Sequence, residues 1–503
     1  MNTVFDRLVA NATDRPDASA FTIHSHGGIT HLTFGELYAR VLALAHGLVS
    51  HGIGAGDPVA LALTTSPALV ALVYAVQSLR AVPMIVNPSL PAAAIARRVA
   101  QVHAKLLVAE ALVETLSQPS SDAVMPPRPT RPVPEDLAFL QLTSGTSGDS
   151  RAAAISHRAL AIYLGWEGSG HRLGLTQRDV LVSWLPLHHD LGLVRFLFMP
   201  VWYGQHVHLL PPAIASLGLW LQTLTATKAT VTSAPDFAYR IAARAVSPVG
   251  IDLAHLRLAT NGGEPVRATS IAAFEARFSC PGVVSPGYGL AEATLGVSAT
   301  APGDALIVDA RGHVGCGKVV PGLTLRVVRD GVEVPAGEVG ELETAGTHLF
   351  EGYYDPASPG RFDRSSFTAD GWLKTGDTGY IDAHGNVFAL GRTRAMVKQA
   401  GALIAPREVE EVVDRIAGVR LSAAIGLPND ITQAEELVLV VEARDEPPED
   451  GLAVAIQAVV RAEVGVVPGR ILLVPPKTIP LTANGKLRHA VLRQQLLAQS
   501  AGD

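Results

Sequence analysis

Five short stretches of this 503-residue chain carry the residue types that phosphate chemistry needs. In the first, an apolar run leads into Thr143, Ser144, Gly145, Thr146, Ser147 and Gly148, with Arg151 three residues on. Small residues let the backbone fold tightly enough for N–H groups and hydroxyls to converge on one anion. An arginine adds a fixed positive charge. The combination reads as a polyphosphate cradle, although such a run taken alone is more often only a loop. It is not the nucleotide loop ending Gly-Lys-Ser/Thr, because no lysine follows Gly148. Tyr288 and Glu292 stand four residues apart, a ring to stack on a base and a carboxylate to hold a metal ion. Asp377 closes the stretch from Trp372 and can accept from both hydroxyls of a ribose. Arg392 follows shortly, and Lys486 comes directly after the Asn484-Gly485 turn at the start of a helical pattern. The chain has only seven lysines, which singles out one so placed.

These residues need a framework. Asp57 to Thr65 reads as a strand before a helix from Pro67, and Ala104 to Glu110 as a strand before another helical run. Such alternation signals an α/β architecture with largely parallel sheets. Residues 117–135 are rich in Pro and Ser and read as an exposed connection. Two short β segments flank a turn at Asp382–Gly385, and the chain then changes character near 391. A helix is expected over 406–419, with Pro406 at its start, then a strand at 437–443 and a helix at 452–464. The expectation is a large N-terminal domain, 1–390, of stacked mixed sheets with helices, and a small mobile α/β domain, 391–503.

Composition narrows the function. A net charge of −6 with scattered Lys and Arg speaks against a nucleic-acid or anionic-membrane partner. No apolar stretch is long enough to span a bilayer, no signal peptide is visible, and the cytoplasm is the expected compartment. Cys280 and Cys316 make neither a disulfide framework nor a thiolate metal site, and read as unpaired core thiols.

In order and spacing the five stretches resemble the adenylate-forming superfamily of acyl-CoA synthetases, peptide-synthetase adenylation domains and luciferases, over essentially the whole chain. The resemblance implies that ATP and Mg²⁺ convert a carboxylic acid to its acyl-adenylate. The acyl group then passes to a phosphopantetheine thiol, of CoA or of an acyl carrier protein. Carried over by position, Thr143 to Arg151 is the loop around the β- and γ-phosphates. Gly262, Gly263, Glu264 and Pro265 edge the adenine, Tyr288 stacks on it, and Gly289 follows in the nucleotide site. Glu292 ligates Mg²⁺ with help from Thr143. Asp377 takes the ribose hydroxyls with Arg392 beside them, and Lys486 contacts the carboxylate and α-phosphate. Trp184, His189, Phe237 and Gly287 fall on the acid side, where Trp184 reads equally as core, as do Phe196, Phe198 and Met199.

Departures are informative. Ser150-Arg151-Ala152 replaces the usual Pro-Lys-Gly, Ala291 replaces a phosphate-contacting Thr, and Ala395 stands where the hinge residue is commonly acidic. His188 to Leu193, Thr232 to Arg240, and Asn261 to Val266 resemble fatty acyl-AMP ligases, which load carrier proteins or polyketide synthases. Against that, no room exists between Thr294 and Gly322 for the insertion those ligases usually carry. Lys398, Gly401, Ile404 and Pro406 look more like acyl-CoA ligases, so CoA is slightly favoured. A fatty or other apolar acid is expected, Asp236 being a weak candidate for holding an amine. Two other readings stay open: an adenylate passed to a non-thiol acceptor, and a non-catalytic ligand-binding homologue. The residues Glu408, Glu410 and Glu411 read as a solvated helix face, and adjacent His188 and His189 as a strand pair pointing opposite ways.

Overall fold

A computed structural model describes residues 1–25, 27–118, 130–143, 151–168, 173–357, 360–399, 402–429, 434–444, 451–481 and 487–500. The chain divides into two compact units: 1–306 with 316–325 and 343–375, and 307–315 with 326–342 and 376–503. It is a mixed α/β protein of sheets covered by helices. No helix among the described residues is long and apolar enough to cross a membrane.

In the first unit a nine-stranded sheet has a parallel centre, formed by Ser19–Ser25, His206–Leu209, Val180–Ser183, Val231–Ala234, Leu258–Asn261 and Val284–Gly289. The central strands are short and largely buried, as parallel strands covered on both faces are, although several carry polar residues such as Thr232, Ser233 and His208. A second, three-stranded parallel sheet uses Pro58–Ala62, Val82–Ile85 and Leu106–Ala109. The helix Pro67–Ser78 starts where the sequence predicts, with Ser66 capping the Leu69 N–H and Pro67 at the first position. From Leu69 to Ser78 every residue is buried, so this helix is core on all sides. Its one amide, Gln77, donates to the Ala138 carbonyl at 2.8 Å. The core then continues through Phe139, Phe196, Phe198 and Met199, which settles those last three as packing residues.

In the second unit the helix Pro406–Val413 is shorter than expected. The sheet it covers pairs Val419–Asn429 antiparallel with Ala434–Ala443, which pairs parallel with Arg470–Val474. Its acids are not a solvated face. Glu410 is 3% exposed, accepts from the Ala424 N–H at 2.9 Å and lies 2.6 Å from His489 Nε2. Glu408 pairs with His313 at 2.8 Å, and Glu411 with Arg407 at 2.6 Å. The charge pattern alone looks like a wet surface because the histidine partners of Glu410 and Glu408 come from far along the chain, His489 in the last helix and His313 in the segment 307–315. Cys280 and Cys316 are buried and form no disulfide, and burial pushes the Cys280 thiol up to about 12. Most of the connection at 117–135 falls outside the described residues.

Candidate functional site

The strand Leu137–Thr143 pairs antiparallel with Arg151–Ser156, and this ladder sets Thr143 opposite Arg151. The Thr143 hydroxyl donates to the Arg151 carbonyl at 3.2 Å. Ser144, Gly145, Thr146, Ser147 and Gly148 lie outside the described residues, but the ladder fixes where their segment leaves and returns. Next in the same sheet comes Gly352–Tyr354, with Tyr353 opposite Ala153. The Arg151 guanidinium sits over the Tyr353 ring, 3.6 Å from its centre, a cation–π contact. The Tyr353 hydroxyl donates to Glu292 Oε1 at 2.6 Å. Thr143, Arg151, Tyr353 and Glu292 therefore form one connected series. Sequence reasoning missed Tyr353, for which the Tyr353-Tyr354 pair after Gly352 was the available signal.

Glu292 is half-buried in a short 3₁₀ turn, Ala291–Ala293, tied down by the Phe350 N–H donating to its carbonyl at 2.8 Å. Its carboxylate and the Thr143 hydroxyl are hard oxygen donors of the kind Mg²⁺ takes. Among the described residues no group of three or more His, Cys, Asp or Glu could hold a metal alone. A metal at Glu292 would draw its remaining ligands from phosphate oxygens and water, the usual arrangement for Mg²⁺.

The strand Leu258–Asn261 ends at Gly262, beside the strand Val284–Gly289 that carries Gly287, Tyr288 and Gly289. Gly263 has φ +80°, a left-handed turn that glycine adopts without strain. A Cβ on Gly289 would fall 1.9 Å from the Leu295 carbonyl oxygen, so only glycine fits there. Glu264 does not stand idle beside exposed Pro265: its Oε1 accepts from the Phe237 N–H at 2.7 Å, capping the helix Asp236–Ala245. Asp236, the weak amine candidate, is 3% exposed and accepts from Asn261, Arg267 and Ser270. It is a structural acid.

A pocket of about 800 Å³, counting its open mouth, borders these glycines. Gly262, Gly263, Gly287, Tyr288 and Gly289 line it. Trp184, Phe237 and His189 are not among its lining residues. Trp184 and Phe237 are 4% and 3% exposed and pack edge to face, with ring centres 6.1 Å apart. His188 and His189 occupy a turn, not a strand, with ring centres 4.6 Å apart, so they do not point opposite ways. Burial and then the His189 neighbour lower His188 to about 3, which keeps it neutral.

The hairpin Leu373–Ile381 and Val387–Arg392, which belongs to the second unit from Gly376 on, sets Asp377 opposite Arg392. Arg392 Nε is 3.2 Å from Asp377 Oδ1, with Arg392 half-exposed and Asp377 mostly covered. A 3₁₀ turn, Thr393–Ala395, follows at once. Lys398 lies in the strand Val397–Gln399, whereas Gly401 and Lys486 fall outside the described residues.

The sequence profile of the AMP-binding enzyme family matches residues 8–354. FadD21 of Mycobacterium tuberculosis, named by inference a fatty-acid–CoA ligase, is 30% identical over 99% of this chain and 98% of its own. The long-chain-fatty-acid–AMP ligase FadD26 of Mycobacterium marinum is 29% identical over 96% and 95%. A solved structure from work on the fatty acyl-adenylate ligases of E. coli and L. pneumophila aligns with a TM-score of 0.86. It shows 26% identity and covers 100% of this chain and 99% of its own.

Proposed function

The chain belongs to the AMP-binding enzyme family and is a ligase that activates an acid as its adenylate; from that premise we propose an ATP- and Mg²⁺-dependent reaction that ends in a thioester. The observation that carries the proposal is the connected series Thr143, Arg151, Tyr353 and Glu292, together with a pocket lined by Gly262, Gly263, Gly287, Tyr288 and Gly289. The acid's carboxylate, ionised at neutral pH, attacks the α-phosphorus of ATP without a general base. Pyrophosphate leaves and the acyl-adenylate remains. Glu292, with Thr143, would hold Mg²⁺, which neutralises phosphate oxygens and eases the departure of pyrophosphate. Arg151, docked on the Tyr353 ring, places a positive charge at the foot of the phosphate loop. Asp377 takes the ribose hydroxyls, Tyr288 stacks on the base, and Lys486 meets the carboxylate and α-phosphate.

Tyr353 positions the metal carboxylate, and its removal should be felt in the metal titration. Glu292→Gln should raise the Mg²⁺ concentration needed for ATP–pyrophosphate exchange, and Tyr353→Phe should raise it by on the order of tenfold. A Tyr353→Phe curve that overlies the wild type would remove that role.

For the second half-reaction we propose that residues 391–503 swing about residues 392–396, withdrawing Lys486 and presenting the segment from Lys398 to Pro406. One cleft then assembles two catalytic arrangements in turn. Free CoA is the favoured acceptor, supported by the missing insertion between Thr294 and Gly322. A carrier protein is the second reading, supported by the likeness to FadD26 and to the fatty acyl-adenylate ligases. Incubating the enzyme with ATP, Mg²⁺, a competent acid and either CoA or a holo carrier protein separates them by which thiol is acylated. Accumulation of adenylate with neither thiol acylated would overturn both. Ala395→Pro, which fixes φ in the 3₁₀ turn and disfavours helical geometry at Arg394, should slow transfer more than adenylation. Rapid-quench measurement of the two steps checks that ordering.

A further inference from the structure

Residues 391–503 share one compact unit with 307–315, 326–342 and 376–390, so a swing of the former has to part them from the latter. An apolar cluster and an ion pair join the two sides. In the cluster Met396 and Ala405 pack with Tyr380, Phe388 and Leu390. In the ion pair Glu408 Oε1, on the helix Pro406–Val413, lies 2.8 Å from His313 Nε2, and both side chains are mostly covered. His313 is also held from its own side. Asp309 Oδ2 lies 2.7 Å from its Nδ1, and Asp309 Oδ1 accepts from its backbone N–H at 2.8 Å. The Tyr380 hydroxyl donates to Asp309 Oδ2 at 2.6 Å and ties that carboxylate to the hairpin Leu373–Ile381 and Val387–Arg392. A series therefore runs Tyr380, Asp309, His313, Glu408. Its first three members precede residues 392–396 in the chain, and Glu408 follows them.

With an acid at each ring nitrogen, the imidazole is suited to carry a proton. Burial opposes that charge, but Glu408 and Asp309 outweigh it and hold His313 above 6.5. The other charged groups around the series are Arg311, on the segment 307–315, and Asp382, at the hairpin turn, which both act on Tyr380. A swing takes Glu408 away and leaves the ring with Asp309 alone. Parting a mostly covered pair leaves each charge short of its partner, which is costly. We propose that His313 is a positioning residue: through its pair with Glu408 it holds residues 391–503 in one of the two catalytic arrangements, and the pair breaks before the other half-reaction can proceed. The proposal rests on the two-step function and the swing, and it names the contact that governs passage between the steps. The pair needs the proton on His313. It is therefore full at low pH and weakens as pH rises through the raised value.

The test uses His313→Gln, Glu408→Gln and the two combined. Each is measured for ATP–pyrophosphate exchange and for acyl transfer from a supplied adenylate. The half-reaction that uses the docked arrangement should slow and the other should speed up. Their ratio should shift by on the order of tenfold, the size expected for one contact with a charged group. The double variant should match the single ones, because two partners in one contact do not add. Between about pH 6 and 8.5 the wild-type ratio should drift further than that of Glu408→Gln, which has no docked pair to lose. Ionisation of the acceptor thiol is common to both and cancels in that comparison. Hydrogen exchange without substrates gives a second readout. The amides of Met396 and Val397 should exchange faster in both single variants while the strand Val419–Asn429 keeps its protection. An unchanged ratio, equal loss in both half-reactions, additive effects in the double variant or unchanged exchange at Met396 and Val397 would each overturn the proposal. Faster exchange there in an enzyme that activates no acid would uphold the contact and sink the two-step function instead.

Discussion

Lys486→Ala lowers ATP–pyrophosphate exchange by about 100-fold or more, while acyl transfer from a supplied adenylate to a thiol persists near the wild-type rate. In the adenylation step two anions approach one another, and negative charge grows on the oxygens around the α-phosphorus. A preplaced cation is worth most where charge develops in a site shielded from water, and removing one such contact costs on the order of 10² to 10³ in rate. The flanks of Lys486 suit it to that task. Leu481 and Leu487 form a β-bridge, the Arg488 N–H donates to the Pro480 carbonyl at 3.0 Å, and the helix His489–Ser500 starts just beyond. The described residues on either side of the lysine are therefore held to one another. In the swing proposed for residues 391–503 the lysine leaves before the thiol arrives, which is why only one half-reaction should suffer. Equal loss of both halves would make Lys486 structural or shared between the steps.

The second large effect is an acid lability confined to the first unit. Burial lowers His157 and His348 from 6.5 to about 4 each, and both are 0–1% exposed. Folded, they stay neutral; unfolded, they take up protons at about 6.5. Their contribution is thus present above pH 6.5 and lost as pH falls from 6.5 toward 4. Each withdraws roughly 1.4 kcal/mol per pH unit over that window, about 3 kcal/mol per unit together. Against a typical domain stability of about 5–15 kcal/mol, two pH units are enough to threaten the fold. The second unit runs the other way. Burial opposes protonation of His313 and His489, but Glu408 and Asp309 for the first, and Glu410 for the second, outweigh it and raise both. Their stabilisation is full below 6.5 and lost as pH rises through their folded values. Hydrogen exchange followed from pH 7 to about 4.5 should show protection falling in strands such as Val231–Ala234 before it falls in Val419–Asn429. Unchanged protection in the first unit, or earlier loss in the second, would contradict this.

What the sequence made legible depended on how local each signal was. Ser66 and Pro67 announce their helix within three residues, and the run Pro58–Ala62 announces a buried strand by composition alone. The glycines at 262, 263, 287 and 289 were readable because a tight turn or close backbone approach leaves a residue-type trace. Tyr353 and His313 were not, because each acquires its role from a partner far along the chain: Glu292 and Arg151 for one, Glu408 for the other. Trp184 and Phe237 are harder to read for the opposite reason. An aromatic residue in a motif looks the same whether it faces a ligand or another ring, and these two rings pack edge to face. Glu410 failed as a surface residue because its counter-ion, His489, arrives from the last helix.

Acid-dependent exchange of radiolabelled pyrophosphate into ATP is the measurement that bears most directly on the central claim. Purified enzyme with Mg²⁺ and a panel of carboxylic acids should label ATP only when a competent acid is present. Labelling should collapse in Lys486→Ala. Folded wild-type enzyme that labels no ATP with any acid, or labels it equally without one, would contradict the assignment of this chain as an acid-activating ligase.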